Sequence, residues 1–473
     1  MAGAGVMAAG ASAAPPLEAP PTIERVSAKE LGARGFVERF AEPGRPVVLL
    51  DVVPAWRAFR EWCGPGGGPD FGRLARDFGG ARVPVVDCGP AAAAGAVEAK
   101  DEGVGQVSTW DARDYFAWAA RQRQRRCVAE PDAGAGPSAA ASGHAPDGCA
   151  EAGPERLLYL KDWHFARDCR SLGLEPPYLP PDFLAAPLHD WLNLHLDTER
   201  GGGDDFRFCY VGVAGTSTPL HHDVLLSHSW SASICGRKHW VFFPPEVSAL
   251  LLDARGEAPA SAAPGRRPGD WQRRFPRLGE AWARRLEALQ EPGELMFVPS
   301  GWYHEVENVT DAVSINHNWL NASNALQVWG FLRAELGSVH RAIGDLRDTF
   351  DSALEFETHC QTLMRANCSF DYARWLELLI AAAAEVSRAL SAEAEGGAGG
   401  SQGVAGIATA ETAAADRPWL AWRAARALRA AADAALGSIP AESLPPAVAS
   451  AAARLTEAVA GLPLGGDEDG GAW

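Results

Sequence analysis

The chain has 473 residues, a formal net charge of −17, 47% hydrophobic residues, 50 glycines and 34 prolines. Its length allows two or three domains and its apolar content a large core, although Gly-, Ala- and Pro-rich stretches reduce the part that folds. The acidic balance disfavours generic binding to phosphate backbones. Nine cysteines, odd in number and without a CxxC pair, argue against a disulfide framework or zinc ribbon and fit reduced thiols in an intracellular protein. The first 21 residues have neither a basic stretch nor a leucine-rich run, so no secretory signal is expected. No apolar run approaches ~20 residues, so no membrane span is expected. A cytoplasmic location is the expectation, with the nucleus left open.

Taken in chain order, residues 1–22 read as a disordered tail and 23–128 as N-terminal α/β elements packing on a core. In the latter, Phe36 to Phe40 reads as helix, Pro46 to Leu50 as a buried strand, and Trp56, Phe59 and Trp62 as one face of a helix. Val83 to Val86 reads as a strand and Asp111 to Arg121 as a helix. Residues 129–154 are a low-complexity insertion, read as flexible. Residues 155–345 carry short strands punctuated by Gly and Pro: Phe206 to Tyr210, His239 to Phe243, Glu294 to Val298 and Ala312 to Asn316. Such a run indicates an antiparallel barrel or sandwich, with a helix expected at about Glu280 to Gln290. Residues 346–464 read as a helical C-terminal region with a linker at about 396–416, and 465–473 as a tail. Leading into it, Val328, Trp329, Leu332 and Leu336 share one helix face.

The chemistry centres on Thr218-Pro219-Leu220-His221-His222-Asp223. In an extended segment, side chains two apart share a face, so His221 and Asp223 converge while His222 turns away. A lone HxD is also what a hydrogen-bonded strand pair looks like. A third ligand must come from another strand, and His304, after Pro299-Ser300-Gly301-Trp302-Tyr303, is the candidate. Two imidazoles and one carboxylate form the facial triad of non-haem iron(II) oxygenases, which leaves sites open for a cosubstrate and O2. Gly236-Arg237-Lys238 offers a cation for a dicarboxylate, the alternative being an exposed strand lysine. Tyr210 reads as a pocket-lining or core aromatic, His239 and His317 as structural histidines, and Trp230 and Trp302 as walls. Arg266, Arg267, Arg273, Arg274 and Arg277 read as a solvated loop and helix face.

Thr218 to Asp223, Cys235 to Trp240 with Phe243-Pro244-Pro245, Gly293 to His304 and Ser314 to Trp319 together resemble the JmjC group of the cupin superfamily. The resemblance implies a mainly β fold with α additions. Its core is a double-stranded β-helix (cupin, or jelly-roll), with helical N-terminal elements and a helical C-terminal region. It further implies iron(II) on His221, Asp223 and His304, and 2-oxoglutarate held by Lys238, with Thr218 and Asn318 beside it. In some relatives an asparagine lies between the acid ligand and the lysine; this chain has Ser229, Ser231 and Ser233 there. Phe297 to Trp302 and Ile315 to Trp319 resemble a branch that hydroxylates a lysine of a translation termination factor, with succinate and CO2 as products. Demethylation of N-methyl-lysine, hydroxylation of another protein or RNA, and a non-catalytic cupin interaction module are the rival readings. The C-terminal helices either cover the barrel or form a docking or homodimer surface.

Overall fold

The computed structural model describes residues 22–64, 66–89, 107–129, 156–185, 188–198, 205–394, 410–439 and 444–462. Among these, thirteen strands form two sheets: β1 (Glu24–Ser27), β2 (Val47–Leu50), β3 (Arg82–Asp87), β4 (Val107–Asp111), β5 (Leu158–Trp163), β6 (Arg207–Gly212), β7 (Ser217–His221), β8 (His228–Cys235), β9 (Lys238–Phe243), β10 (Leu286–Gln290), β11 (Leu295–Val298), β12 (Tyr303–Asn308) and β13 (Ala312–Trp319). Of the last eight, β6, β8, β11 and β13 fall in one sheet and β7, β9, β10 and β12 in the other. β11-β8-β13-β6 forms the centre of the larger sheet and β10-β9-β12-β7 is the whole of the smaller one. All pairs in these two quartets are antiparallel. This is the jelly-roll expected from the Gly- and Pro-punctuated strands.

The N-terminal elements widen the larger sheet. β2 and β1 extend it beyond β11, and β5, β3 and β4 extend it beyond β6. A shared aromatic core fixes them there: Phe36 packs on Phe297 at 5.0 Å between ring centroids, and Trp62, Phe78, Trp163 and Phe165 form a cluster of edge-to-face contacts. Buried aromatics contribute the largest apolar areas of any side chains, which makes this layer part of the domain rather than an appendage. A polar tie reinforces it. Asp311, in the turn before β13, accepts from Arg123 Nε at 2.9 Å and from Arg126, both on the helix Ala112–Ala129.

A second core lies on the C-terminal side. Helices Ala325–Ile343, Ala353–Cys368, Tyr372–Ala394, Ala410–Ser438 and Pro446–Ala460 bury apolar faces against one another and against Trp191, Leu192 and Leu196 of the helix Trp191–Thr198. Val328, Trp329, Leu332 and Leu336 are buried together, as their spacing requires. Ser352 caps the helix Ala353–Cys368 by accepting from the Glu355 N–H at 3.1 Å, and Ser369, at φ 66°, ends it. The helix Ala410–Ser438 also reaches the N-terminal elements. Asp416 accepts from the Arg34 N–H at 3.3 Å, and the Arg34 guanidinium lies 5.0 Å from the Trp419 ring centroid.

Three local expectations are corrected. The helix expected over Glu280 to Gln290 is instead a helix at Leu278–Ala283 followed by β10. Leu-Glu-Ala-Leu-Gln has good helix propensity, but β9 offers it a full ladder, and Gln290 accepts from Trp240 Nε1 at 2.9 Å and donates to Ser231 O at 2.8 Å. The helix expected through Trp56, Phe59 and Trp62 covers only Arg57–Glu61, with the two tryptophans buried at its ends. The expected linker is helical from Ala410 onward. Its preceding part, residues 1–21 of the expected N-terminal tail, residues 130–154 of the expected insertion at 129–154, and the C-terminal tail lie outside the described residues.

The β8–β9 hairpin that delivers Lys238 turns at Gly236, whose φ is +77° and where a Cβ would sit 2.1 Å from Asp311 O. Gly236→Ala is therefore expected to lower the unfolding free energy by at least about 2 kcal/mol. Urea denaturation of the two proteins checks this as a lowered midpoint.

Candidate metal and cosubstrate site

β7 ends at His221, and Asp223, two residues on, keeps an extended backbone (φ −65°, ψ 149°). His221 and Asp223 accordingly lie on one side. His222 turns to the other, 5.1 Å from the Tyr303 ring and 6.2 Å from that of Phe331. β12 runs antiparallel to β7 with His304 directly opposite His221, their ring centroids 4.3 Å apart. One donor atom from each of His221, Asp223 and His304 lies within 4.8 Å of the other two. The two strands thus bring together the three residues that the spacing singled out.

The protonation states suit a divalent metal. Nδ1 of His221 donates to Pro219 O at 2.8 Å and Nδ1 of His304 to Trp302 O at 3.1 Å, which leaves each Nε2 lone pair free. Burial lowers the His221 pKa to about 3 and lowers that of His304. Burial also works to raise Asp223, but the neighbouring histidines and the hydrogen bond from Ser229 outweigh it and hold the carboxyl below its usual range. Ser229 Oγ donates to Asp223 Oδ2 at 2.7 Å. Two neutral imidazoles and an ionised carboxylate are the forms that coordinate a metal.

A cavity of about 300 Å³ opens over these donors. Lys238 lines it and is buried, and its Nζ donates to Ser314 Oγ at 2.5 Å across the barrel. No carboxylate among the described residues forms an ion pair with it, and burial pushes its pKa down to about 7. A buried amine without a counter-charge is costly, and a dicarboxylate in the cavity would remove that cost. Thr218, Tyr210 and Asn318 line the cavity as expected, with Asn318 on β13 opposite Ser229. Tyr210 OH donates to Asp162 Oδ1 at 2.6 Å.

Strand alternation sorts the remaining candidates. Ser229 and Ser231 on β8 face the cavity, so Trp230 faces the opposite core, where it stacks on His317 at 4.1 Å. His317 also meets Tyr178 OH at 2.8 Å, and His239 pairs with Glu287 at 3.1 Å; both are structural. Trp302 donates to Gly44 O at 2.8 Å and is no wall either. That place belongs to Trp240, whose ring lies 5.7 Å from His304. Lys161, Asp162, Asn316 and Ser314 were not singled out from sequence. Ser314 and Asn316 were within reach, because they share the alternation of β13 with Asn318.

Two other charged groups carry no comparable chemistry. His340, Glu357 and Cys360 also place donor atoms near one another, but His340 Nε2 already meets Glu357 at 2.8 Å and Gln361 donates to the other oxygen at 3.3 Å. In the arginine cluster, Arg266, Arg273, Arg274 and Arg277 pair with Glu307, Asp270, Asp253 and Glu280, and Arg267 stacks over Trp271.

A cupin-like domain family matches residues 33–325. The chain is 34% identical over 345 residues to human "2-oxoglutarate and iron-dependent oxygenase JMJD4", covering 73% of this chain and 72% of that protein. It is 33% identical over 354 residues to the protein of the same name from Danio rerio, covering 74% and 72%. It is also 33% identical over 372 residues to "Arginine-specific demethylase JMJ20" of Arabidopsis thaliana, covering 73% and 66%. Fold, donor set and relatives together define a 2-oxoglutarate-dependent dioxygenase that uses iron and O2. The chain belongs to the cupin-like JmjC family.

Two predictions follow from the geometry. Ser229→Ala frees Asp223 from its orienting bond and is expected to weaken Mn(II) affinity about tenfold, measured by calorimetric titration. Binding a dicarboxylate requires Lys238 charged, so 2-oxoglutarate affinity should fall as pH rises above about 7, by up to about tenfold per pH unit, with proton uptake on binding. Calorimetry in buffers of different ionisation enthalpy reads both; a flat profile with no proton uptake would show that Lys238 is already charged in the free protein.

Proposed function

We propose that this chain hydroxylates a lysyl side-chain carbon of a translation termination factor, with His221, Asp223 and His304 as iron ligands and Lys238 as the anchor for 2-oxoglutarate. The observation that carries the site assignment is the pairing of one buried, carboxylate-free lysine with a two-histidine, one-carboxylate donor set in one cavity. Iron(II) held there, with 2-oxoglutarate and O2, supplies the oxidation of an unactivated C–H bond and releases succinate and CO2. The chain's own residues do the rest. His221 and His304 are locked in one tautomer by backbone carbonyls, and Ser229 orients Asp223. Lys238, steadied by Ser314, fixes the far carboxylate of the cosubstrate; Thr218 and Asn318 flank it. Trp240 and Val306 contribute apolar wall that limits water at the reacting end.

The termination-factor substrate rests on the resemblance carried by Phe297 to Trp302 and Ile315 to Trp319. A second reading, demethylation, is favoured by the similarity to the Arabidopsis protein named as an arginine-specific demethylase: hydroxylation of an N-methyl carbon yields an unstable product that releases formaldehyde. The proposal includes action in the cytoplasm on a protein rather than a nucleic acid. A homodimer through the C-terminal helices belongs to the same proposal and is read from the particle mass in solution.

The test is mass spectrometry of the termination factor incubated with enzyme, iron(II) and 2-oxoglutarate. The expected result is the gain of one oxygen atom on a lysine, with succinate formed in step, and loss of both in His221→Ala and Asp223→Ala, by at least about a hundredfold. Formaldehyde from methylated peptides with no oxygen gain on lysine would favour demethylation. No gain of oxygen on the factor would remove it as substrate.

A further inference from the structure

Lys161 and Asp162 are neighbours on β5, yet both line the cavity. In a regular strand adjacent side chains point to opposite faces. The β5–β6 register shifts between Leu160 and Trp163, and Asp162 adopts φ 59°, in the left-handed region. A bulge of this kind re-aims a side chain, and bulges recur beside active sites. It brings Asp162 to the exposed mouth of the cavity, whereas Lys238 lies buried inside it.

The carboxylate of Asp162 is held but not neutralised. Its Oδ1 accepts from Tyr210 OH at 2.6 Å, and burial keeps that phenol protonated. The partner that holds it is thus the neutral Tyr210 hydroxyl, and no ion pair to Asp162 is found among the described residues. The Tyr210 ring in turn lies 5.9 Å from Lys238 Nζ. The cavity therefore has two ends of opposite character, an ammonium inside and an unpaired carboxylate at the entrance, joined through Tyr210.

We propose that Asp162 is the subsite for the substrate's side-chain cation, an ammonium or guanidinium that enters past it towards the metal. This rests on the reading of the cavity as an iron and 2-oxoglutarate site. It deepens that reading by assigning the substrate's charge to a residue. A charge-assisted hydrogen bond to one fixed carboxylate oxygen gives orientation as well as affinity. Lys161 plays the opposite part, since a like charge at the entrance opposes the incoming cation.

The test uses the full chain loaded with Mn(II) and 2-oxoglutarate, whose binding is measured first by calorimetry. Three probes are then titrated and followed by paramagnetic relaxation of their proton signals: n-butylammonium, n-butylguanidinium and neutral 1-pentanol. The wild type should hold at least one cation about fivefold more tightly than the alcohol; the tighter cation names lysine or arginine as the substrate side chain. Asp162→Asn, which retains an acceptor for Tyr210 and tolerates the left-handed backbone, should abolish that preference and leave 2-oxoglutarate affinity within about twofold. Lys161→Met should not weaken the cations. Equal binding of cations and alcohol by the wild type, or a preference that survives Asp162→Asn, overturns the proposal. A fall in 2-oxoglutarate affinity as large as the fall in cation affinity assigns Asp162 to the cosubstrate and also overturns it. Failure of Mn(II) and 2-oxoglutarate to bind at the outset is a separate outcome, which overturns the underlying site reading and the proposal with it.

Discussion

The register between β7 and β12 sets His304 opposite His221, and the site depends on that pairing. A slip of one residue would turn every side chain of one strand to the other face, placing His222 or Tyr303 where a donor is needed. Several features pin the register. β12 is paired on its other side to β9 along its whole length, and the turn before it is secured by the Ser300 N–H, which donates to His228 Nδ1 at 2.9 Å. The same β9 starts at Lys238. One set of strand pairings thus positions both the donors and the cation that faces the cosubstrate.

Electrostatics follow from this placement. The cavity buries a carboxylate and an amine that do not pair with each other. Asp223 stays ionised through its histidine and serine neighbours, while Lys238 is drawn towards neutrality by burial. The second condition is costly in the free protein and is relieved when a dicarboxylate binds. The jelly-roll tolerates them because the surrounding layers are well packed: the aromatic core of the N-terminal elements on one side, and the helical core on the other.

Much of this was legible in the sequence. Alternation in Thr218 to Asp223 placed His221 and Asp223 together, and the Pro-Ser-Gly turn marked the strand that carries His304. Val328, Trp329, Leu332 and Leu336 announced their helix. Trp230 is no wall of the cavity, because Ser229 and Ser231, on either side of it in β8, face inward and turn it to the opposite core. Leu286 to Gln290 has helical propensity but pairs with β9, a tertiary contact that local sequence does not carry. Lys161 and Asp162 were out of reach, since a bulge breaks the period on which such a reading relies.

The proposed metal ligands are His221, Asp223 and His304. Anomalous diffraction at the iron edge, from crystals grown anaerobically with iron(II) and 2-oxoglutarate, tests that assignment most directly. One strong iron peak bonded to those three side chains is expected, with 2-oxoglutarate density reaching Lys238. A peak at His340, Glu357 and Cys360 with none at the barrel donors would contradict the assignment.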